Sequence, residues 1–222
     1  MSIVSITRVA NDRIRDAVQQ AIDLVDGLSV VEPGNSVLIK PNLVKPSPSG
    51  SGVVTDARVT EAVVEAVLAR NPGRVIIGEG SSVGYDLPGG VDSLTAMEVN
   101  GVADVARHHG LPMVDLNRDD LVEVHAPDAY VMHTFNVART AYEADVIIDL
   151  PVLKTHSRTG ITCGLKNMKG VLPGYEKRRT HTLGLDRGIV DLNRVMKPHL
   201  TVVDGLMGLG GTHTREEDRM AL

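Results

Sequence analysis

Short runs of β-branched and aliphatic residues alternate along this chain with longer segments whose apolar residues recur every three or four positions. Runs of the first kind are typical of buried strands, and the second pattern is typical of amphipathic helices. Their alternation predicts an α/β fold, with an open, mostly parallel sheet and helices on both faces. The predicted strands are Ile3–Val9, Ser36–Lys40, Arg74–Glu79, Pro112–Leu116, Asp145–Leu150 and Leu200–Asp204.

Helices are expected between most of these strands, because their apolar residues form one continuous stripe at the helical period. Either Thr55 or Asp56 can cap the second helix. The less regular stretch Leu121–Val137 predicts two strands that pair as an antiparallel hairpin at a sheet edge. The predicted helices are Asp12–Leu28, one that follows Asp56 and stops before Asn71, Thr95–His109 and Asp186–Met196.

Neither an internal repeat nor a domain linker interrupts this pattern, so residues 1–222 are predicted to form a single α/β domain. A glycine-rich loop, Gly205–Gly211, follows the last predicted strand and lies close to Leu222. In an α/β domain of this kind, at least one further strand and helix would be expected after this loop. We therefore expect either a chain truncated at its C-terminus, with part of its site beyond Leu222, or a short member of its class.

Composition excludes several classes of protein. No run approaches 18 apolar residues, so no membrane span is expected, and the first residues lack the pattern of a signal peptide. A single cysteine, Cys163, excludes an internal disulfide and an iron–sulfur cluster held by this chain alone. Because aromatic residues are scarce and the net charge is −5, a nucleic-acid binder is not expected. A cytoplasmic location fits these features best.

The charge is distributed unevenly. Between Pro151 and His181 the chain has seven lysines and arginines and one acid, Glu176. The rest of the chain is therefore strongly acidic. A local basic segment in an acidic protein indicates a small anionic ligand or a local acidic partner.

Candidate chemistry collects after the predicted strands. Ligands of open parallel sheets bind beyond the carboxyl ends of the strands, where loops and helix starts meet. Polar residues follow four of the strands at this position: Lys40 with Asn42, Glu79, the segment Lys154–His156, and Asp204. We therefore expect these residues to share one rim of the sheet.

The basic segment supplies most of an anion site. Its glycines let backbone amides approach an anion, and its lysines neutralise the charge. The spacing is not that of a Walker loop. The alternatives are a solvated basic loop and, for Lys40, a side chain that extends to solvent. The predicted anion-binding residues are Lys40, Asn42, Thr155, Lys166, Asn167, Lys169 and Gly170, and the predicted catalytic residues are His156, as acid or base, and Lys154.

A divalent metal is a further possibility at this rim. Glu79 and Asp204 are the candidate ligands, with Asp149 and His156 as further donors. Carboxylates at strand ends also cap neighbouring helices, which is the alternative. Cys163 is more typical of packing than of a nucleophile. The isolated His181 and His213 are expected at the surface.

Several blocks of the sequence resemble the domain-of-unknown-function family numbered 362. The resemblance implies an α/β fold and little about activity. Some relatives carry a ferredoxin-like iron–sulfur module, whose cysteines are absent here. One loop, 164–174, also resembles the lysine loop of the nickel-pincer lactate racemase family. The blocks that carry the family resemblance are 37–43, Thr55-Asp56, 78–80, 150–156, 164–170 and 203–205.

Two functions fit these observations. The first is an enzyme acting on a small phosphorylated or carboxylated substrate. The second is a non-catalytic module that binds an anion or cofactor, or docks a redox protein. Both functions are kept as hypotheses for comparison with the structure.

Overall fold

A five-stranded parallel sheet forms the centre of the molecule. The computed structural model describes residues 3–84, 86–211 and 218–221. The central strands are β1 (Ser36–Pro41), β2 (Arg74–Glu79), β3 (Met113–Asp115), β6 (Val146–Leu150) and β9 (Leu200–Thr201), in the order β3-β2-β1-β6-β9. All four pairings are parallel. The predicted sheet is thus confirmed, and the carboxyl ends of its strands share one rim.

Helices cover both faces of this sheet, because side chains alternate between the faces along each strand. Val37 and Ile39 of β1 join a core with the first four helices, whereas Leu38 joins a second core with Met168 and Leu192. The first four helices are α1 (Ile14–Asp23), α2 (Ala57–Leu68), α3 (Ser93–Asn100) and α4 (Val102–His108). The later ones are α5 (Arg139–Tyr142), α6 (Gly164–Asn167), α7 (Gly174–Leu183) and α8 (Leu185–Val195), with a 3-10 turn at Met168–Val171.

The basic segment contributes to a second sheet, which the sequence pattern did not predict. Only Pro151 separates β6 from β7 (Val152–His156), so the chain passes directly from one sheet to the other. The other strands of this second sheet are β8 (Gly160–Thr162), β10 (Asp204–Leu209) and β11 (Arg219–Ala221). The strands of the second sheet have the order β11-β10-β7-β8. Strands β7 and β10 are parallel, and the outer pairs are antiparallel.

The predicted hairpin is confirmed as β4 (Leu121–His125) and β5 (Thr134–Ala138). It forms a separate two-stranded sheet instead of extending the central one. No helix in the described part of the chain is both long and apolar enough to cross a membrane.

Four predicted elements were wrong. Residues 3–9 form no strand; they lie beside α1, where Thr7 Oγ1 donates to the Ala17 carbonyl, and Ile6 is 92% exposed. The helix predicted over Thr95–His109 is broken at Gly101, whose φ of +97° ends α3. The last predicted strand, Leu200–Asp204, is split between β9 and β10, which lie in different sheets. Most of the predicted loop Gly205–Gly211 belongs to strand β10.

Candidate functional site

A buried ion pair lies at the rim of the central sheet. Lys40, at the end of β1, is fully buried, and its Nζ lies 2.9 Å from Oε2 of Glu79 at the end of β2. The other oxygen, Oε1, accepts the Gly80 amide at 2.7 Å. Gly170 lies against this pair, since an added Cβ would be 2.6 Å from the Lys40 ammonium. Lys40 therefore lies away from solvent, with its ammonium paired to the Glu79 carboxylate.

A chain of hydrogen bonds runs beside this pair and connects three predicted site residues, Lys154, Asn42 and Asn167, with Asp149. The Lys154 ammonium donates to Oδ1 of Asn42 at 2.8 Å and to the Val53 carbonyl at 2.6 Å. Asn42 donates from Nδ2 to Oδ1 of Asn167 at 2.9 Å. Asn167 then donates from Nδ2 to Oδ1 of Asp149 at 2.8 Å. The two amides thus connect a buried ammonium to a buried carboxyl.

Both ends of this chain titrate near neutrality. Burial raises the pKa of Asp149 to about 7, an effect that the positive charge of Lys40 and the Asn167 hydrogen bond reduce. Burial lowers the pKa of Lys154 to about 7, and the charge of Lys166 acts in the same direction. Asp149 Oδ2 is buried and has no hydrogen-bond partner among the described residues. Both ends therefore carry a desolvation cost that favours their neutral forms.

A cavity of about 330 Å³ opens above these networks. Its wall contains four cationic side chains, and the one acid among its described residues is Glu79, which Lys40 already neutralises. The polar and charged side chains of the wall are those of Asn42, Glu79, Ser82, His156, Ser157, Arg158, Thr162, Lys166, Asn167, Lys169, Lys177 and His181. The described wall of the cavity therefore carries more cationic than acidic side chains.

The lysines of the cavity wall have lowered pKa values, because they are buried and lie close to one another. Burial lowers the pKa of Lys166 to about 8. Burial also lowers the pKa of Lys169 to about 7, with the neighbouring ammonium groups of Lys166 and Lys177 adding to the effect. A bound anion would replace lost hydration and offset the mutual repulsion.

Lys177 is the main site residue that the sequence analysis missed. Its ammonium is buried and donates to the Gly80 carbonyl at 2.6 Å and to Asn117 Oδ1 at 2.7 Å, and burial lowers its pKa to about 7. It lies on α7 three residues after Gly174, and three before Thr180, both buried. A spacing of three residues places Gly174, Lys177 and Thr180 on one face of the helix. This spacing was the signal in the sequence that could have identified Lys177 as buried.

The two histidines of the cavity have different settings. His156 Nδ1 accepts the amides of Arg158 and Thr159 at 3.1 and 3.2 Å, so the neutral ring carries its proton on Nε2. His181, expected at the surface, lines the cavity instead, and burial together with Lys169 lowers its pKa to about 4. His213 lies outside the described residues.

Two predicted site residues, Thr155 and Asp204, lie outside the cavity wall and have other partners. Thr155 is exposed on the opposite side of β7 from Lys154, and its hydroxyl donates to the Gly211 carbonyl at 2.6 Å. Asp204 accepts the amides of Asp56 and Leu206 with its two oxygens, as an internal cap does. In the described ranges, the potential metal-binding group of three is Glu61, His108 and His109, which includes neither Glu79 nor Asp204.

The buried lysines predict how stability depends on pH without a ligand. Their pKa values of about 7 to 8 lie below the ordinary 10.5, so the unfolded chain binds more protons than the folded one above pH 7. Stability should therefore rise between about pH 7 and pH 9. We expect the melting temperature to increase over this window, and to increase less steeply in Lys169→Met. A flat or falling profile would contradict this assignment.

Comparison with known proteins gives one family and a set of distant folds. The profile of a family described as "Domain of unknown function (DUF362)" matches residues 37–221. A thylakoid-associated protein of Synechocystis sp. is 28% identical over 187 residues, which are 82% of this chain and 54% of that protein.

Two solved structures are similar in fold. The lactate racemase apoprotein from Thermoanaerobacterium thermosaccharolyticum matches with a TM-score of 0.62 and 14% identity, over 86% of this chain and 48% of that one. A protein from Thermotoga maritima matches with a TM-score of 0.54 and 11% identity, over 95% of this chain and 53% of that one. At these identities the likeness establishes the fold alone. The chain spans about half the length of each of these three proteins.

Proposed function

The chain belongs to the DUF362 family, and from that premise we propose that its cavity binds a small phosphorylated or carboxylated metabolite on which the protein acts as an enzyme. The observation that carries the proposal is the cationic wall described above. Arg158 and three lysines face one cavity, and the acid beside them is already paired. A protein interior tolerates such a set of charges best when an anion completes it.

The side chains divide into two groups by position. Lys166, Lys169 and Lys177 hold the anionic group at the cavity wall. Lys40 and Lys154 lie behind the wall, where they fix Glu79 and Asn42. The second group therefore shapes the site without touching the ligand.

Proton transfer has two candidate groups. The neutral His156 ring carries its proton on Nε2, because its Nδ1 accepts backbone amides, and His156 is the candidate general acid. Lys169 has a pKa of about 7, which lets its amine take up or release a proton near neutral pH. The two together supply the acid and base that a reaction on a phosphorylated or carboxylated substrate needs.

A non-catalytic anion- or cofactor-binding module is the second candidate. It is favoured by the environment of His156, whose Nδ1 accepts the backbone amides of the turn between β7 and β8, a structural role that requires no reaction.

Incubation with a metabolite pool, followed by mass spectrometry of the protein and of the pool, separates the enzyme from the binding module. An enzyme converts a metabolite, and His156→Asn, which keeps an acceptor for the turn amides, then loses turnover while staying folded. A binding module retains its ligand unchanged.

Anion binding itself predicts a ligand-dependent rise in melting temperature. Glycerol 3-phosphate and citrate serve as probes of a phosphate monoester and a carboxylate. A ligand at 100 times its Kd stabilises by about 2.7 kcal/mol, which is roughly 5–10 °C for a chain of this size. Lys169→Ala and Lys166→Ala should each remove most of that rise. Lys197→Ala, an exposed residue outside the cavity, is the matched control and should keep it. A rise that survives both cavity substitutions would place the anion elsewhere.

A further inference from the structure

Two adjacent histidines and a glutamate lie together where α2 and α4 meet, and none of the three lines the cavity. Glu61 lies in the second turn of α2, His108 is the last residue of α4, and His109 follows it. Each residue has one possible ligand atom, a carboxylate oxygen or a ring nitrogen, within 4.8 Å of those of the other two. The two imidazole rings meet edge to face, with centroids 4.7 Å apart. Both helices pack into the first core, which fixes the backbone that carries these side chains.

Two members of this group have polar atoms without a protein partner. The Glu61 carboxylate forms no ion pair or side-chain hydrogen bond with any described residue, whereas Glu65, one turn later on α2, pairs with Arg15 at 2.8 Å. Nε2 of His109 is buried, and it too has no hydrogen-bond partner in the described part of the chain. Buried polar atoms in folded proteins are nearly always paired, so an unpaired one calls for a water molecule or an ion.

From these observations we propose that Glu61, His108 and His109 bind a divalent metal ion of the zinc type. Two imidazole nitrogens and one carboxylate oxygen form a known ligand set of Zn²⁺, in sites that keep a fourth position for water. Mg²⁺ and Ca²⁺ take mainly oxygen ligands, so this group should bind them weakly. The site is independent of the anion binding proposed for the cavity.

Small side-chain movements are enough to bring the three ligand atoms to one ion. A tetrahedral zinc ion with bonds of about 2.0–2.2 Å holds its ligand atoms about 3.3–3.6 Å apart. The exposed His108 and the half-buried Glu61 can rotate toward the ring of His109, because all three ligand atoms already lie within 4.8 Å of one another. The bound ion would link α2 to the end of α4 and so stabilise the folded chain.

Calorimetric titration of the tag-free protein with Zn²⁺, in a buffer without citrate or phosphate, tests the site. We expect one Zn²⁺ to bind per chain and to raise the melting temperature, and Mg²⁺ to leave the melting temperature unchanged. Glu61→Gln and His108→Ala each remove one ligand and should each weaken Zn²⁺ binding by at least about tenfold. Glu65→Gln, on the same helix, and His125→Ala, at an exposed position of β4, are the matched controls and should keep the affinity.

Three results would overturn the proposal. The first is that Zn²⁺ does not bind, and the second is that binding survives both Glu61→Gln and His108→Ala. The third is that binding is lost in His181→Ala and kept in those two variants, which would place the ion in the cavity. Because His108 is exposed, His108→Ala should fold normally and keeps the test valid if another variant does not. Both variants should retain the melting-temperature rise with citrate, so failure of the metal site and failure of the anion site are separate results.

Discussion

Alanine at position 170 should destabilise the protein by about 3–5 kcal/mol and abolish anion-dependent stabilisation. A Cβ at Gly170 would overlap Oε1 of Glu79 and lie 2.6 Å from Nζ of Lys40. These atoms belong to a buried ion pair that cannot move toward solvent, so the new methyl group must separate the charges or displace the turn at Met168–Val171. Overpacking a core costs about 1–3 kcal/mol, and disrupting a buried pair costs about 3–5 kcal/mol.

Denaturant unfolding measures the first effect, and the melting-temperature rise with citrate measures the second. Gly205→Ala is the matched control, because its Cβ would meet no atom within 4 Å. It should change stability by no more than about 0.5 kcal/mol. If Gly170→Ala behaved like the control, the close contact between Gly170 and the ion pair would be wrong.

Methionine at position 40 should also cost about 3–5 kcal/mol, because it leaves the buried Glu79 carboxylate without its ammonium partner. The loss comes from the remaining charge, and a second substitution, Glu79→Met, should therefore recover most of the stability. Lys197→Met, the same change at an exposed position, should be nearly neutral.

Chemical denaturation of the two single variants and the double variant gives the coupling energy between Lys40 and Glu79. A coupling below about 1 kcal/mol would indicate that the pair is exposed to water in solution. If the double variant were as unstable as Lys40→Met, the loss of stability would come from altered packing and not from the unpaired Glu79 carboxylate.

The central part of the site was predictable because it depends on topology. Parallel strands bring their carboxyl ends to one rim, and for that reason Lys40 and Glu79, which are 39 positions apart, are in contact. The glycine-rich segment after β6 was predictable as part of the same rim. Asn42, His156, Lys166, Asn167, Lys169 and Gly170 all line the cavity.

The features of the site that the sequence did not predict depend on local geometry. The second sheet turns Thr155 away from the cavity, since β7 alternates its side chains and Lys154 occupies the inner face. The sequence analysis did not predict a strand at Val152–His156, so it could not place Lys154 and Thr155 on opposite faces. Lys177 was missed because its neighbours Arg178 and Arg179 look like a solvated charge run, whereas α7 buries one of the three.

The direct passage from β6 through Pro151 into β7 has a consequence for how this sequence can vary. Asp149 and Lys154 are the two ends of the chain of hydrogen bonds that passes through Asn42 and Asn167, and they lie on opposite sides of that passage, five positions apart. One residue inserted between Asp149 and Lys154 would turn every side chain of β7 to the opposite face of its sheet. Lys154 would then point outward, and its neighbour would take its place on the inner face. The asparagines would then lose the cation that holds them. Homologues that keep this network are therefore expected to differ here by replacement of residues, never by a change in the number of residues between these two.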